Sequence, residues 1–240
     1  MRRIALPLAL LLFVTPAFAL SDKPYITKDD ADLMLLLPPP PVKGSAAEKA
    51  DLAAVLAAQK ARTPAQAKKI VADATVSVFQ FSEILGPEFT KGKLPKLDAF
   101  FTKVFADANI LSNDVKNIYA RPRPYDAYPA VKPPGDLIKS TRSLKDGTPT
   151  LSFPSGHGAW GTEFAILLAD MVPEKRREIF ARGWEIADQR IAGGVHYPTD
   201  VEAGRINGTV MVALMMQKPA FRADLAEIKA ELRAALKLAP

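Results

Sequence analysis

Residues 153–171 read FPSGHGAWGTEFAILLADM, and the fold turns on how this stretch is read. Pro154, Ser155 and Gly156 stand just ahead of an apolar run, which marks a helix start. Ser155 is placed to cap that helix, and the first backbone amides stay unpaired at its end. His157, Trp160, Phe164, Leu168 and Met171 then recur at steps of three and four, the spacing of one helix face. The same spacing extends outward in both directions. Upstream, Leu97 to Ala120 holds Phe101, Val104, Phe105, Ala108 and Tyr119 at helical intervals. Ser45 caps an alanine-rich helix to about Ala61, and Thr63-Pro64 opens another. Downstream, helices fit Pro173 to Ala192, Thr199 to Gln217 and Pro219 to Lys237. No stretch alternates apolar and polar residues over five or more positions, so strands are not expected. The expectation is an all-α, single-domain helical bundle over residues 44–240. It is interrupted by one long irregular segment, Arg121 to Phe153, rich in proline and glycine and of the kind that forms active-site loops.

The ends of the chain read differently. Residues 1–19 place Arg2 and Arg3 before an apolar run that closes on Ala17-Phe18-Ala19, the pattern of a cleaved secretory signal peptide. Its apolar run falls short of the about 20 residues that span a bilayer. An exported protein without stable membrane insertion is therefore expected. Residues 20–43 form a Pro-rich arm with Pro38-Pro39-Pro40-Pro41, expected to be extended. Such an arm packs along its own surface or along a partner subunit, which leaves a homo-oligomer open. Composition narrows the chemistry further. The chain has no cysteine, which excludes disulfides, thiolate nucleophiles and sulfur-ligated metals. Its only histidines, His157 and His196, cannot build a multi-histidine metal cage, so neither a metal nor another cofactor is expected. The net charge of +6 is modest and spread out. No basic run is interleaved with aromatics, so nucleic acid is not an expected partner.

Three separated clusters carry chemistry. In the first, Lys116 continues the inward stripe of its helix, and Arg123 is set at a rigid exit by Pro122 and Pro124. In the second, Ser155 and Gly156 sit at a helix N-terminus, a ready anion site, with His157 turned inward beside them. In the third, Arg190 interrupts an apolar stripe, and a buried guanidinium needs an anion. Asp200 lies one turn beyond His196, where it is placed to accept the imidazole Nδ1–H and leave Nε2 with its lone pair. Taken singly, each cluster has a plain structural explanation: a cap, a core histidine, a dipole partner. Taken together they describe a metal-free phosphoryl-transfer site. Cations neutralise phosphoryl oxygens, one histidine attacks phosphorus and the other protonates the leaving oxygen.

This arrangement resembles the three-part signature of the type 2 phosphatidic acid phosphatase superfamily, which includes the vanadium haloperoxidases. The matching residues are Lys116-x6-Arg123-Pro124, Pro154-Ser155-Gly156-His157 and Arg190-x5-His196-x3-Asp200. Outside them, the stretches 35–41 (LLLPPPP), 119–124 (YARPRP) and 218–221 (KPAF) are similar to the bacterial class A non-specific acid phosphatases. The resemblance implies an all-α fold and periplasmic hydrolysis of small phosphomonoesters without a metal. It implies catalytic roles for His196 as the nucleophile that forms a phosphohistidine, Asp200 as its orienter and His157 as general acid. It further implies that Lys116, Arg123, Ser155, Gly156 and Arg190 bind phosphate. Two departures stand out: Gln189 replaces the signature serine, and the stretch 195–200 (VHYPTD) with Ala203-Gly204 is closer to the lipid-phosphatase branch.

Other readings compete. A phosphatase for lipid or isoprenoid phosphates would need apolar surface in the long loop, for which Tyr125, Tyr128, Val131 and Leu137 are the candidates. Haloperoxidases of this superfamily are much longer chains. A phosphate-binding module without turnover would not need the set His157, His196 and Asp200. Two histidines with opposite protonation demands imply a bell-shaped rate profile centred on the acid side of neutrality.

Overall fold

The computed structural model describes residues 19–143 and 146–239. Apart from Ala19, the leader lies outside these described residues. Ten α-helices follow in order: α1 Leu33–Leu36, α2 Ala46–Ala61, α3 Pro64–Ala72, α4 Ser82–Leu85, α5 Pro95–Tyr119, α6 Pro124–Ala127, α7 Gly156–Met171, α8 Arg176–Ala192, α9 Pro198–Gln217 and α10 Pro219–Ala235. Short 3-10 turns occupy Val78–Phe81, Leu137–Thr141 and Pro173–Lys175. Among the described residues the only β pairing is an isolated bridge between Arg142 and Pro149. The fold is all-α.

Local chemistry accounts for most helix ends. Ser45 accepts from the Glu48 amide to open α2, and Thr63 forms a capping box with Gln66 ahead of Pro64 at the start of α3. Ser155 accepts from the Gly158 amide at 3.1 Å and caps α7. Some details differ from the expectation. The segment 173–192 is a 3-10 turn followed by α8 rather than one helix, because Lys175, at φ −115° and ψ 20°, leaves helical geometry between them. The arm is not extended throughout: Asp32 caps the Met34 amide and winds α1. The long loop contains α6 and the Leu137–Thr141 turn.

Helix α7 is apolar nearly all round and accordingly sits at the centre, with α5, α8 and α9 against it. Its approach to α8 and α9 leaves no room for side chains. A Cβ on Gly204 would stand 2.4 Å from the Ser155 carbonyl oxygen, and one on Gly183 would stand 2.5 Å from that of Gly161. These contacts hold the start of α9 against the start of α7. The arm is bound to the bundle: Tyr25 and Ile26 are buried, and the Tyr25 ring packs edge-on against Phe221 of α10 at 5.1 Å.

Candidate active site

The C-terminus of α5, the start of α7, the end of α8 and the start of α9 meet at one end of the bundle. Lys116, in the last turn of α5, donates from Nζ to the Pro154 carbonyl at 2.5 Å and to that of Leu151 at 3.2 Å. Helix α5 then stops at Ala120, which takes the left-handed conformation at φ 44°. The exit runs through Arg121-Pro122-Arg123-Pro124, with both arginines buried.

Arg123 is pinned by three acceptors. Its Nε and Nη2 donate to the Thr150 carbonyl and hydroxyl at 2.7 and 2.8 Å, and Nη1 donates to the Val195 carbonyl at 2.8 Å. Nη1 also lies 3.0 Å from His196 Nε2. A guanidinium only donates, so Nε2 is the acceptor and His196 carries its proton on Nδ1. His196 is 2% exposed. Burial, with Arg123 next in size, lowers its imidazole to about 3, against the pull of Asp200. Nε2 therefore stays unprotonated down to about pH 3, with its lone pair turned to Arg123.

Asp200 is fully buried, and its carboxylate is heavily occupied. It accepts from Ser152 Oγ at 2.6 Å, from the Tyr197 amide at 2.9 Å and from Arg121 Nη1 at 2.6 Å. The His196 Nδ1 to Asp200 Oδ2 distance is 3.6 Å, a contact between a neutral imidazole and a carboxylate that is longer than the hydrogen bond expected from the sequence. The reason is competition for the carboxylate by these three donors. Burial by itself raises the Asp200 carboxyl, but His196, Arg121 and Ser152 outweigh it and hold it below the usual range. Arg121 in turn donates to Asp51 of α2 at 2.8 Å and lies over the Tyr197 ring at 3.9 Å. Sequence reasoning gave no role to Ser152, Thr150, Arg121 or Asp51. Ser152 and Thr150 lie in the irregular loop, where no periodicity marks them.

Arg190 reaches the site from the last turn of α8. It is 1% exposed, donates Nη2 to the Ile70 carbonyl at 2.7 Å, and its Nε has no protein partner. Burial lowers both Arg123 and Arg190 to about 10, still charged below neutrality. Half-buried Lys116 is lowered by burial and then by Arg123 to about 7. His157 lies at the first turn of α7, its ring 5.5 Å from that of Trp160, and its Nε2 is 3.2 Å from the Ala74 carbonyl. A carbonyl only accepts, so Nε2 bears the proton and Nδ1 is the free nitrogen. Burial, then Arg190 and His196, hold this imidazole well below 6.5 without a bound anion. Ser155 is buried, and its amide is taken by the Asp200 carbonyl at 2.9 Å. The amide of Gly156 follows at the first position of α7, at the positive end of the helix dipole.

Gln189 does not join this group. Its amide bonds Glu185 one turn earlier at 3.2 Å, and it lines a separate cleft with Gln66 and Lys69. Of the loop residues considered as an apolar surface, Val131 and Leu137 are buried in small cores, and the Tyr125 hydroxyl pairs with Thr141 at 2.7 Å. Among the described residues no group of three or more histidines and carboxylates is placed to hold a metal ion.

The family described as the PAP2 superfamily matches residues 97–224, a range that contains every residue of the cluster from Lys116 to Asp200. The chain is 29% identical over 227 residues to a non-specific acid phosphatase of Providencia stuartii, covering 91% of this chain and 89% of that protein. It is 29% identical over 214 residues to the non-specific acid phosphatase of Salmonella typhimurium, covering 85% and 82%. Among solved structures it is similar to a transmembrane PAP2-type phosphatidylglycerolphosphate phosphatase from Bacillus subtilis, with 18% identity and a TM-score of 0.48. That similarity covers 73% of this chain and 87% of the other.

Proposed function

The chain belongs to the PAP2 superfamily and is a phosphatase, and from this premise we propose that it is a periplasmic acid phosphatase acting on small phosphomonoesters through a phosphohistidine, without a metal. The observation that supports the mechanism most is the pairing of His196 Nε2 with Arg123 Nη1 at 3.0 Å. It supports the reading because a buried neutral imidazole lone pair lies against the guanidinium proposed to bind phosphate.

In the proposed reaction, the phosphoryl oxygens are held by Arg123, Arg190, Lys116, the Ser155 side and the Gly156 amide. Arg123 Nη1 shifts from His196 Nε2 to an oxygen of the substrate, which uncovers the lone pair. Nε2 then bonds to phosphorus as the P–O ester bond breaks, and the leaving oxygen takes a proton from His157. Charge that appears on His196 is stabilised by Asp200, held in place by Ser152 and Arg121. Water next attacks the phosphohistidine, the neutral His157 takes its proton, and inorganic phosphate departs. The dianionic substrate itself raises the proton affinity of His157, because it adds negative charge to a cavity now dominated by cations.

The leader motif of residues 1–19 supports export, and among the described residues no helix is long and apolar enough to cross a membrane. The packing of Val131 and Leu137 into cores favours small polar substrates over lipid or isoprenoid phosphates. The even spread of basic residues argues against nucleic acid as a dedicated partner, while self-association of the arm-bearing surface stays open.

The test is quenched turnover with a labelled aryl phosphate in the presence and absence of EDTA. Turnover unaffected by EDTA is expected, with acid-labile, base-stable phosphate located on the His196 peptide. Activity lost to EDTA and restored by a divalent metal would overturn the metal-free route.

A further inference from the structure

Two backbone carbonyls enter the site from one short segment, Ile70 to Ala74, at the end of α3. Ile70 O receives Arg190 Nη2 at 2.7 Å, and Ala74 O receives His157 Nε2 at 3.2 Å. Both acceptors belong to main chain, so their positions depend on whatever holds this segment. Asp73, 1% exposed, lies between them in sequence. Arg182 of α8, itself buried, grips the Asp73 carboxylate in a fork, with Nη2 to Oδ1 at 2.6 Å and Nη1 to Oδ2 at 2.8 Å. The same guanidinium donates to the Gln80 carbonyl at 3.0 Å and contacts Glu83 and Glu185, each at 2.9 Å. Lys69 bridges those two glutamates at 3.1 and 2.8 Å.

A buried ion pair is weak evidence of stabilisation, because a well-packed apolar pair often does as well. Its distinctive property is directional: a forked guanidinium–carboxylate pair fixes both position and orientation. Here that rigidity is applied one residue from the carbonyl that decides which nitrogen of His157 bears a proton. We propose that Asp73 and Arg182 are positioning residues of the active site, clamping Ile70–Ala74 so that Ala74 O keeps the His157 proton on Nε2 and Ile70 O aims Arg190. The free Nδ1 of His157 is then the nitrogen that exchanges a proton with the leaving oxygen. This inference rests on the assignment of His157 as the general acid.

The chain has two histidines, so the imidazole nitrogens of a uniformly 15N-labelled sample form a small set that His157→Ala assigns. In the unsubstituted protein without phosphate, His157 is expected as a single Nε2–H tautomer. Asp73→Asn keeps the shape of the carboxylate and removes its charge; Arg182→Lys keeps the charge and removes the fork. Both are expected to give a mixture of His157 tautomers. Both should also lower kcat for an alkyl phosphate about tenfold more than kcat for p-nitrophenyl phosphate, whose leaving group depends less on an acid. A folded variant with the unchanged Nε2–H tautomer, or with an unchanged alkyl-to-aryl ratio, would overturn the clamp. If Asp73→Asn does not fold, the same two readouts on Arg182→Lys decide. If the unsubstituted protein turns over no phosphate ester, the proposed function fails, yet the tautomer comparison still judges the clamp.

Discussion

At the residue scale, the two histidines have separable roles and separable signatures. In the proposed mechanism His196→Ala removes the nucleophile and His157→Ala the acid, and a better leaving group does not replace the nucleophile. Loss on the order of 10⁴-fold or more in kcat is expected for His196→Ala with both aryl and alkyl phosphates. His157→Ala removes an acid, so about 10²-fold or more should be lost with an alkyl phosphate and far less with an aryl one. Equal losses on the two substrates would contradict the assignment. Lys116 sets a third signature. Its ammonium, lowered to about 7, is charged below that pH and neutral above it, so phosphate binding weakens as pH rises through 7. On the alkaline side kcat/KM should therefore fall in two steps, first where His157 of the free protein loses its proton, well below 6.5, and again near pH 7 with Lys116. The kcat limb should lie higher, because bound phosphate favours the charged amine. Lys116→Arg should remove the step near pH 7 and leave the first in place, since guanidinium stays charged. Comparing both proteins on one substrate cancels the ester's own ionisation. The acid limb should lie well below 6.5, because His196 stays neutral down to about 3.

At the scale of the element, α7 combines a functional end with an unusual interior. Its N-terminus faces the site. Two turns on, Glu163 is 1% exposed, and neither carboxyl oxygen has a hydrogen-bond partner. Burial pushes this carboxyl up to about 8. The folded protein thus keeps a proton that the unfolded chain releases near its ordinary value of about 4.3. Stability from this group is full below that value and is lost as pH rises toward 8, on the order of 4 kcal/mol over the interval. The helix is therefore best tolerated at acid pH, which matches the proposed working range. Glu163→Gln should flatten the fall of Tm between pH 5 and 8.5 and raise Tm at the alkaline end. An unchanged slope would show that Glu163 finds a partner for its charge.

At the scale of the whole molecule, the arm is a strap across α5 and α10. The Tyr25 amide donates to Asp107 at 2.8 Å, and its hydroxyl donates to Asp224 at 2.5 Å. The Ser21 amide donates to the same Asp224 oxygen at 2.9 Å, and Lys103 lies 4.3 Å over the Tyr25 ring. These bonds lie among α5, α10 and the arm, away from the catalytic end. Tyr25→Phe keeps the ring packing and leaves a buried carboxylate short of one donor. A loss of about 1–3 kcal/mol is expected by denaturant unfolding, with kcat and KM unchanged. A change in kcat would instead link the strap to the site.

The sequence by itself determined the long helices, though not the short α1, α4 and α6, because the ends of several depend on neighbours a few residues apart: Ser45 with Glu48, Thr63 with Gln66, Ser155 with Gly158. It also determined which residue types form the cluster, since phosphate chemistry needs cations, a helix-start amide and two imidazoles, and these stand in short spaced motifs. Only the tertiary structure decided how they are held. Asp200 is oriented by Arg121 and Ser152 and stands 3.6 Å from His196 Nδ1; Arg121 is tied to Asp51, and Asp51 to the Thr199 amide 148 positions away. Gln189 turns along its own helix, and Val131 and Leu137 spend their apolar surface in packing rather than on substrate. Apart from the Gln189–Glu185 pair, one turn apart on α8, none of these outcomes has a local spacing to betray it. Each depends on how closely the helices approach, and that distance is set by small residues such as Gly183 and Gly204, whose partners lie on other helices.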